Sequence, residues 1–161
     1  MPIPQVVAGS YSSTYNSKAS GMTRDGYRIS HEFFKRLITA DEGGDTPLNA
    51  IYRGRAQFVE FELIEALKAA VVDLTEPYAD PFELGVLGQT DLTVGACTGA
   101  AKALILTSSG ACTASPAAIT FPLSIIAEGY PINLLHSLDP RNIPLRLRSY
   151  PNADGVFATV S

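Results

Sequence analysis

The stretch GYRISHEFFKRLI, residues 26–38, decides the fold. Tyr27, Ile29, Phe33 and Leu37 fall on one side of an extended chain, while Arg28, Ser30, Glu32 and Arg36 mostly take the other. Successive side chains of a β-strand point to opposite faces, so a period of two predicts a long, half-buried strand. A second segment, AIYRGRAQFVEFEL at 50–63, repeats the pattern, with Val59, Phe61 and Leu63 alternating with Glu60 and Glu62. Between the two lies ADEGGDT, residues 40–46, which sets Asp41, Glu42 and Asp45 around Gly43 and Gly44.

Three carboxylates in so short a stretch raise the question of a metal site. An EF-hand loop needs oxygen ligands at its first, third and fifth positions and a bidentate Glu at the twelfth. Counted from Asp41, the third position is Gly43 and the twelfth is Tyr52, so the spacing fails. Glycine accepts the positive φ of a chain reversal, and short acids tolerate the same corner. The stretch reads as a turn between two strands.

Beyond residue 63 the period changes. Ile64, Leu67, Val71 and Leu74 recur at helical spacing, with Glu65 and Lys68 on the opposite side. A short helix over 64–74 is expected, stopped by Pro77 and Pro81. Further strands are predicted at AKALILT (101–107), AAITFPLSIIA (117–127), INLLHSL (132–138) and IPLRLRSY (143–150). Ile119, Phe121, Leu123 and Ile125 would share a face, and Pro122 among them marks either an edge strand or a bulge. Ile143, Leu145 and Leu147 point inward, while Arg146 and Arg148 point outward, where they could contact phosphate; the acidic total favours pairing with Glu60 or Glu62 across a subunit boundary instead. The N-terminal VVAGSYSSTYNSK is extended but polar, which suggests a strand completed by a partner surface, with Tyr11 and Tyr15 in the contact. The sum is six or seven strands and one helix: a single mostly-β domain over residues 1–161, sandwich or barrel-like, with one flanking α-helix.

Composition narrows the function. A chain of 161 residues is long enough for one domain with a real core. Its hydrophobic fraction is 46%, but only 17% of residues are charged, against about a quarter in ordinary domains. So few charges suggest that much of the surface is covered, most simply by self-association. The formal charge of −4 argues against a general nucleic-acid grip, which needs an excess of Lys and Arg. Cys97 and Cys112 are too few for a disulfide framework and read as small buried hydrophobes. The opening MPIPQVVAGSYSS lacks the basic region and apolar core of a signal peptide, and no apolar run is long enough for a membrane span. Synthesis in the cytoplasm is expected.

No enzymatic constellation emerges. DLTVGACTGAAKAL (91–104) lacks the Gly-Lys-Ser/Thr ending of a phosphate-binding loop, because Gly99 is followed by Ala100, Ala101 and Lys102; a loop leading into a strand is expected. There is no GxSxG, and TSSGACTAS (107–115) reads as a small polar turn. His31 sits in an alternating strand and His136 in an apolar segment, both more typical of structural than of catalytic histidine. Asp80 and Glu83 flank Pro81 as solvated loop acids, and no zinc spacing occurs. No catalytic residue, cofactor or metal is expected.

The order of the pieces carries more information than any one of them. GMTRDGYRIS, ITADEGGDTPLNAIYRG, FVEFELIEALKAAV, EPY, AKALILT, ITFPLSIIAEG and NIPLRLRSYP together resemble the tail tube proteins of long-tailed bacteriophages, over roughly residues 5–150. The most specific element is GDTPLNAIYRG followed at once by an apolar-acidic strand and a helix. The resemblance implies a β-sandwich with a flanking helix, forming homohexameric rings. Those rings stack into a hollow virion tube that meets other tail proteins and passes double-stranded DNA as cargo, with no membrane partner. It implies no catalytic residue, and it places Asp41, Glu42, Gly43, Gly44 and Asp45 in an inter-subunit or inter-ring contact. An appended surface domain of the kind larger tube proteins carry is not expected. Two other classes stay open. One is another phage component: a tail terminator, head–tail connector or capsid decoration protein. The other is a small enzyme with an inter-subunit site that uses His31 or His136.

Overall fold

The two long alternating segments form the two longest strands of the molecule, β3 (Thr23–Thr39) and β4 (Pro47–Leu63). The structure, a computed structural model, describes residues 11–39, 46–64, 69–78, 97–108, 117–131 and 142–161. Around that pair stand β1 (Tyr11–Tyr15), β2 (Lys18–Gly21), β5 (Lys102–Ser108), β6 (Ala118–Ile126), β7 (Ile143–Tyr150) and the short β8 (Thr159–Val160). All eight belong to one antiparallel sheet in the order β2-β1-β5-β6-β7-β4-β3, with β8 beside β6. The fold is mostly β, with two short helices, α1 (Ala69–Thr75) and α2 (Cys97–Ala100).

The sheet curls around a single main core. Leu104 and Leu106 of β5, Phe121 of β6, Leu145 and Leu147 of β7, and Val59, Phe61 and Leu63 of β4 all lie in it, each almost fully buried. Each such side chain contributes about 1.5–3 kcal/mol by leaving water. Helix α1 closes the core with Ala70, Val71 and Leu74, one stripe of a helical surface. The two flanks of the sheet approach each other where β1 touches β3, and the Ile64 amide, donating to the Met22 carbonyl at 3.0 Å, extends the β3–β4 ladder by one residue.

Strand β1 departs from expectation. It is an interior strand, paired with β2 on one side and with β5 on the other, where Tyr11 lies opposite Ser108. Its Tyr15 is 1% exposed, and its hydroxyl donates to the Ser124 carbonyl at 2.8 Å. Tyr15 is therefore a core residue and not a contact for a partner surface, and Tyr11 packs half-buried against the same core. A phenol can be buried where its hydroxyl finds an acceptor, and the Ser124 carbonyl is that acceptor. The turn from β1 to β2 is a two-residue loop with Asn16 and Ser17 at φ 51° and 62°, the twist that suits a tight hairpin.

Pro122 marks a bulge inside a central strand, not an edge. Lys102 opposes Ser124, yet Leu104 opposes Phe121, so β6 carries an extra residue there. The extra residue reverses the alternation. Ile119 and Phe121 face the main core, but Leu123 and Ile125 turn to the other side, where Ile125 packs with Ala100 and Ala101 at α2. The four residues expected on one face are shared between two.

The helix expected over 64–74 is seen as Ala69–Thr75; Glu65, Leu67 and Lys68 lie outside the described residues. So do Pro81, Asp80, Glu83, Cys112, His136, Arg141 and the segment 132–138. The expected loop before AKALILT contains the single helical turn α2. The β1–β2 hairpin is tied to α1 by Asp73, which accepts from Asn16 Nδ2 at 2.9 Å and pairs with Lys18 Nζ at 2.9 Å. Replacing Asp73 with alanine should lower stability by about 1 kcal/mol, since hydrogen bonds to a charged group exceed the surface ion-pair norm. A chemical-denaturation midpoint indistinguishable from that of the parent would show that this tie contributes nothing.

Candidate assembly surface

The β3–β4 pair is longer than the body it belongs to. Strand β7 accompanies β4 only from Gln57 to Leu63, whereas β3 and β4 remain paired out to Thr39 and Pro47. The remainder is a two-stranded ribbon whose edges have no further strand among the described residues. Every residue from His31 to Thr39 and from Pro47 to Arg53 is exposed. The half-buried strand expected from the alternation is half-buried only near its start, where Tyr27 and Ile29 pack on the main core.

The register assigns each side chain to a face. Phe33 lies opposite Arg55, Lys35 opposite Tyr52 and Leu37 opposite Ala50, continuing the core-side face. Phe34 lies opposite Gly54, Arg36 opposite Ile51 and Ile38 opposite Asn49 on the reverse. Phe33 is 60% exposed, Leu37 58% and Tyr52 58% on one face; Phe34 is 49% and Ile51 54% on the other. Arg53 is the extra residue of a bulge, and Gly54 beside it adopts φ 134°, a conformation that favours glycine. The bulge sits where the ribbon leaves the body. Four basic residues, Lys35, Arg36, Arg53 and Arg55, cluster along the ribbon shaft, and residues 33–39 and 46–55 contain no acid. The Arg55 guanidinium rests on the Phe157 ring, 4.3 Å from its centroid. His31 stacks on Phe33 at 6.4 Å and is exposed.

At the ribbon base, charges form a ladder across three strands. Glu60 lies opposite Arg28 on β3 and opposite Arg146 on β7. Arg146 Nε is 3.1 Å from Glu60 Oε1, and Arg146 Nη2 is 3.5 Å from Glu32 Oε1. The same guanidinium lies 4.1 Å from the Phe58 ring centroid. Arg148 pairs with Glu128 at 2.6 Å, and the Tyr150 hydroxyl donates to that carboxylate at 3.0 Å. Desolvation raises the Glu128 pKa, but a backbone hydrogen bond, Tyr150 and Arg148 outweigh it and hold the carboxyl below its ordinary value. The two outward arginines form ion pairs within the chain, Arg146 with the expected Glu60 and Arg148 with Glu128 in place of Glu60 or Glu62.

Beside the ladder, β3 makes a wide bulge: Thr23 opposes Leu63 and Tyr27 opposes Phe61, leaving Arg24, Asp25 and Gly26 against Glu62 alone. Gly26 takes φ 79° at this point. Glu62 has Pro144, which lacks an N–H, as its partner on the other side. The result is an open groove of about 590 Å³ on the outer face, walled by Asp25 and Tyr130 and floored by Glu60, Glu62 and Arg146.

Of the residues expected in a contact, Asp41, Glu42, Gly43, Gly44 and Asp45 lie outside the described residues; the strands on either side pair Thr39 with Pro47. Among the described residues no three of His, Cys, Asp and Glu are grouped to hold a metal ion. Nor, among them, is any helix long and apolar enough to cross a membrane. The ribbon and the groove were not singled out by sequence reasoning, although the apolar residues interleaved with the alternation (Phe34, Ile38, Ile51) are a readable sign of a ribbon apolar on both sides. No known protein family matches the chain, and no curated protein does.

Proposed function

We propose that this protein is a virion structural subunit, the tail tube protein of a long-tailed bacteriophage, whose copies form hexameric rings stacked into a conduit for genomic DNA. The single observation that carries the self-assembling part is the ribbon, with large apolar side chains exposed on both faces. An isolated two-stranded ribbon is marginal in water, and exposed apolar surface of this kind marks an interaction site. Its unpaired edges also invite pairing with another chain. The ring, the tube and the other tail proteins as partners come from the sequence resemblance. The net charge of −4 suits a conduit that must release DNA, because like charge prevents adhesive phosphate contacts. The reading assigns the molecule no catalytic step. In it, the acidic stretch at 41–45 serves contacts between subunits.

Negative-stain electron microscopy of the concentrated protein tests this reading. Open tubes of stacked rings are expected. Closed single rings would replace the tube with a terminator or connector, and a monomer at every concentration would end the reading.

A further inference from the structure

We propose that the outer groove at Asp25 and Glu62 is the acceptor for the basic ribbon of a second copy of this chain, so that each subunit gives a ribbon and receives one. The inference rests on the self-assembly reading above and deepens it by naming the surface on which the ribbon lands.

Charge complementarity identifies the occupant. Lys35, Arg36 and Arg53 on the ribbon carry no ion pair among the described residues, and neither do Asp25, Glu62 and Arg28 in the groove, where two acids against one base leave the unpaired charge negative. The groove is open because the bulge at Arg24–Gly26 carries β3 away from Glu62 on one side, while on the other Pro144 pairs with Glu62 without an N–H to donate. Tyr130 and the stems of the ladder residues provide apolar wall for the ribbon's aromatic rings. A subunit does not fill its own groove with its own ribbon, because the groove is lined by the same β3 and β4 strands from which the ribbon extends. The contact joins two different patches, which makes it heterologous. Such contacts propagate from copy to copy until they close as a ring or continue as a filament. The same ribbon, basic and aromatic, also has the makings of a ligand for anionic lipid or nucleic acid. The formal charge of −4 disfavours both, because an anionic lipid or phosphate surface repels the chain as a whole.

Two double variants of the full chain test the proposal by sedimentation velocity, with thermal midpoints as the check on folding. One is Asp25→Lys with Glu62→Lys; the other is Arg36→Glu with Arg53→Glu. All four positions lie outside the main core. Each variant alone should need roughly tenfold or more protein to assemble, because like charges then face each other across the contact. A one-to-one mixture of the two should assemble near the parent concentration, since each reversed ribbon meets a reversed groove. If either variant assembles as the parent does, or if the mixture fails to recover, the groove is not the acceptor, while the self-assembly reading stands. If the parent never assembles, both readings fall. Parent protein that binds phosphatidylglycerol vesicles or duplex DNA through the ribbon, in place of its own copies, also overturns the groove assignment.

Discussion

Replacing Tyr15 with alanine should cost about 3–5 kcal/mol, the range for emptying an aromatic site in a packed core. The ring is 1% exposed, sits among Leu104, Phe121 and Leu74 in the main core, and its hydroxyl satisfies the Ser124 carbonyl. Truncation leaves both a cavity and an orphaned buried acceptor. Against a total stability of about 5–15 kcal/mol, such a loss brings the chain close to unfolding. Tyr15→Phe separates the two terms and should cost only about 0.5–1.5 kcal/mol, the net worth of one hydrogen bond. Burial also raises the phenol well above its ordinary pKa. Its contribution is therefore complete below the ordinary tyrosine range and is lost as the pH climbs through and beyond it. Urea titration monitored by circular dichroism provides the measurement. If Tyr15→Ala keeps its midpoint, the side chain is not where the structure puts it.

The second large effect concerns the ribbon and should leave the fold alone. Phe33→Asp with Leu37→Asp places two carboxylates on one exposed face, at side chains 60% and 58% accessible. Neither belongs to a core cluster, so the thermal midpoint of the monomer should stay within about 2 °C of the parent, as for ordinary surface changes. Assembly should be lost outright, because buried carboxylates without partners are among the most costly defects an interface can contain. Light scattering across a concentration series is decisive. Assembly equal to that of the parent would mean that the core-side face of the ribbon stays in solvent. The same double change on the reverse face, Phe34→Asp with Ile51→Asp, asks whether both faces are covered.

The long strands were legible because alternation depends only on geometry. Val59, Phe61 and Leu63 against Glu60 and Glu62 behave as the pattern says, and so do Ile143, Leu145 and Leu147 against Arg146 and Arg148. What alternation cannot convey is who covers an apolar face. Phe33 and Leu37 keep the phase of Tyr27 and Ile29, yet only the latter two meet the core of their own chain. Tyr15 was misread for the opposite reason: its hydroxyl makes the segment look polar, while the acceptor that permits burial lies more than a hundred residues away. The bulge at Pro122 was signalled, but its effect on parity depends on the partner strand, which a single segment does not reveal. The outer groove was invisible because it depends on Thr23–Tyr27 and Pro144 flanking the same glutamate, a juxtaposition made only by the sheet. Of the candidate contact residues, the structure settles the setting of Tyr15 and Tyr11 and moves attention from the acidic stretch to the strands that flank it.

The placing of the groove walls sets an order of construction during synthesis. The ribbon draws only on residues between Thr23 and Leu63, a local pairing that is marginal alone but whose whole sequence is made early. Pro144 and Arg146 emerge about eighty residues later, and β1 cannot find its β5 neighbour until Lys102–Ser108 has appeared. On the proposed contact, each growing chain would carry its donor segment before its acceptor groove is complete. Neighbouring chains on one messenger would then lack receiving surfaces while their ribbons are most crowded, and sticky intermediates at high local concentration are where misassembly begins. On the proposed contact, completion of the C-terminal strands would act as a licence, so that only finished subunits could be joined.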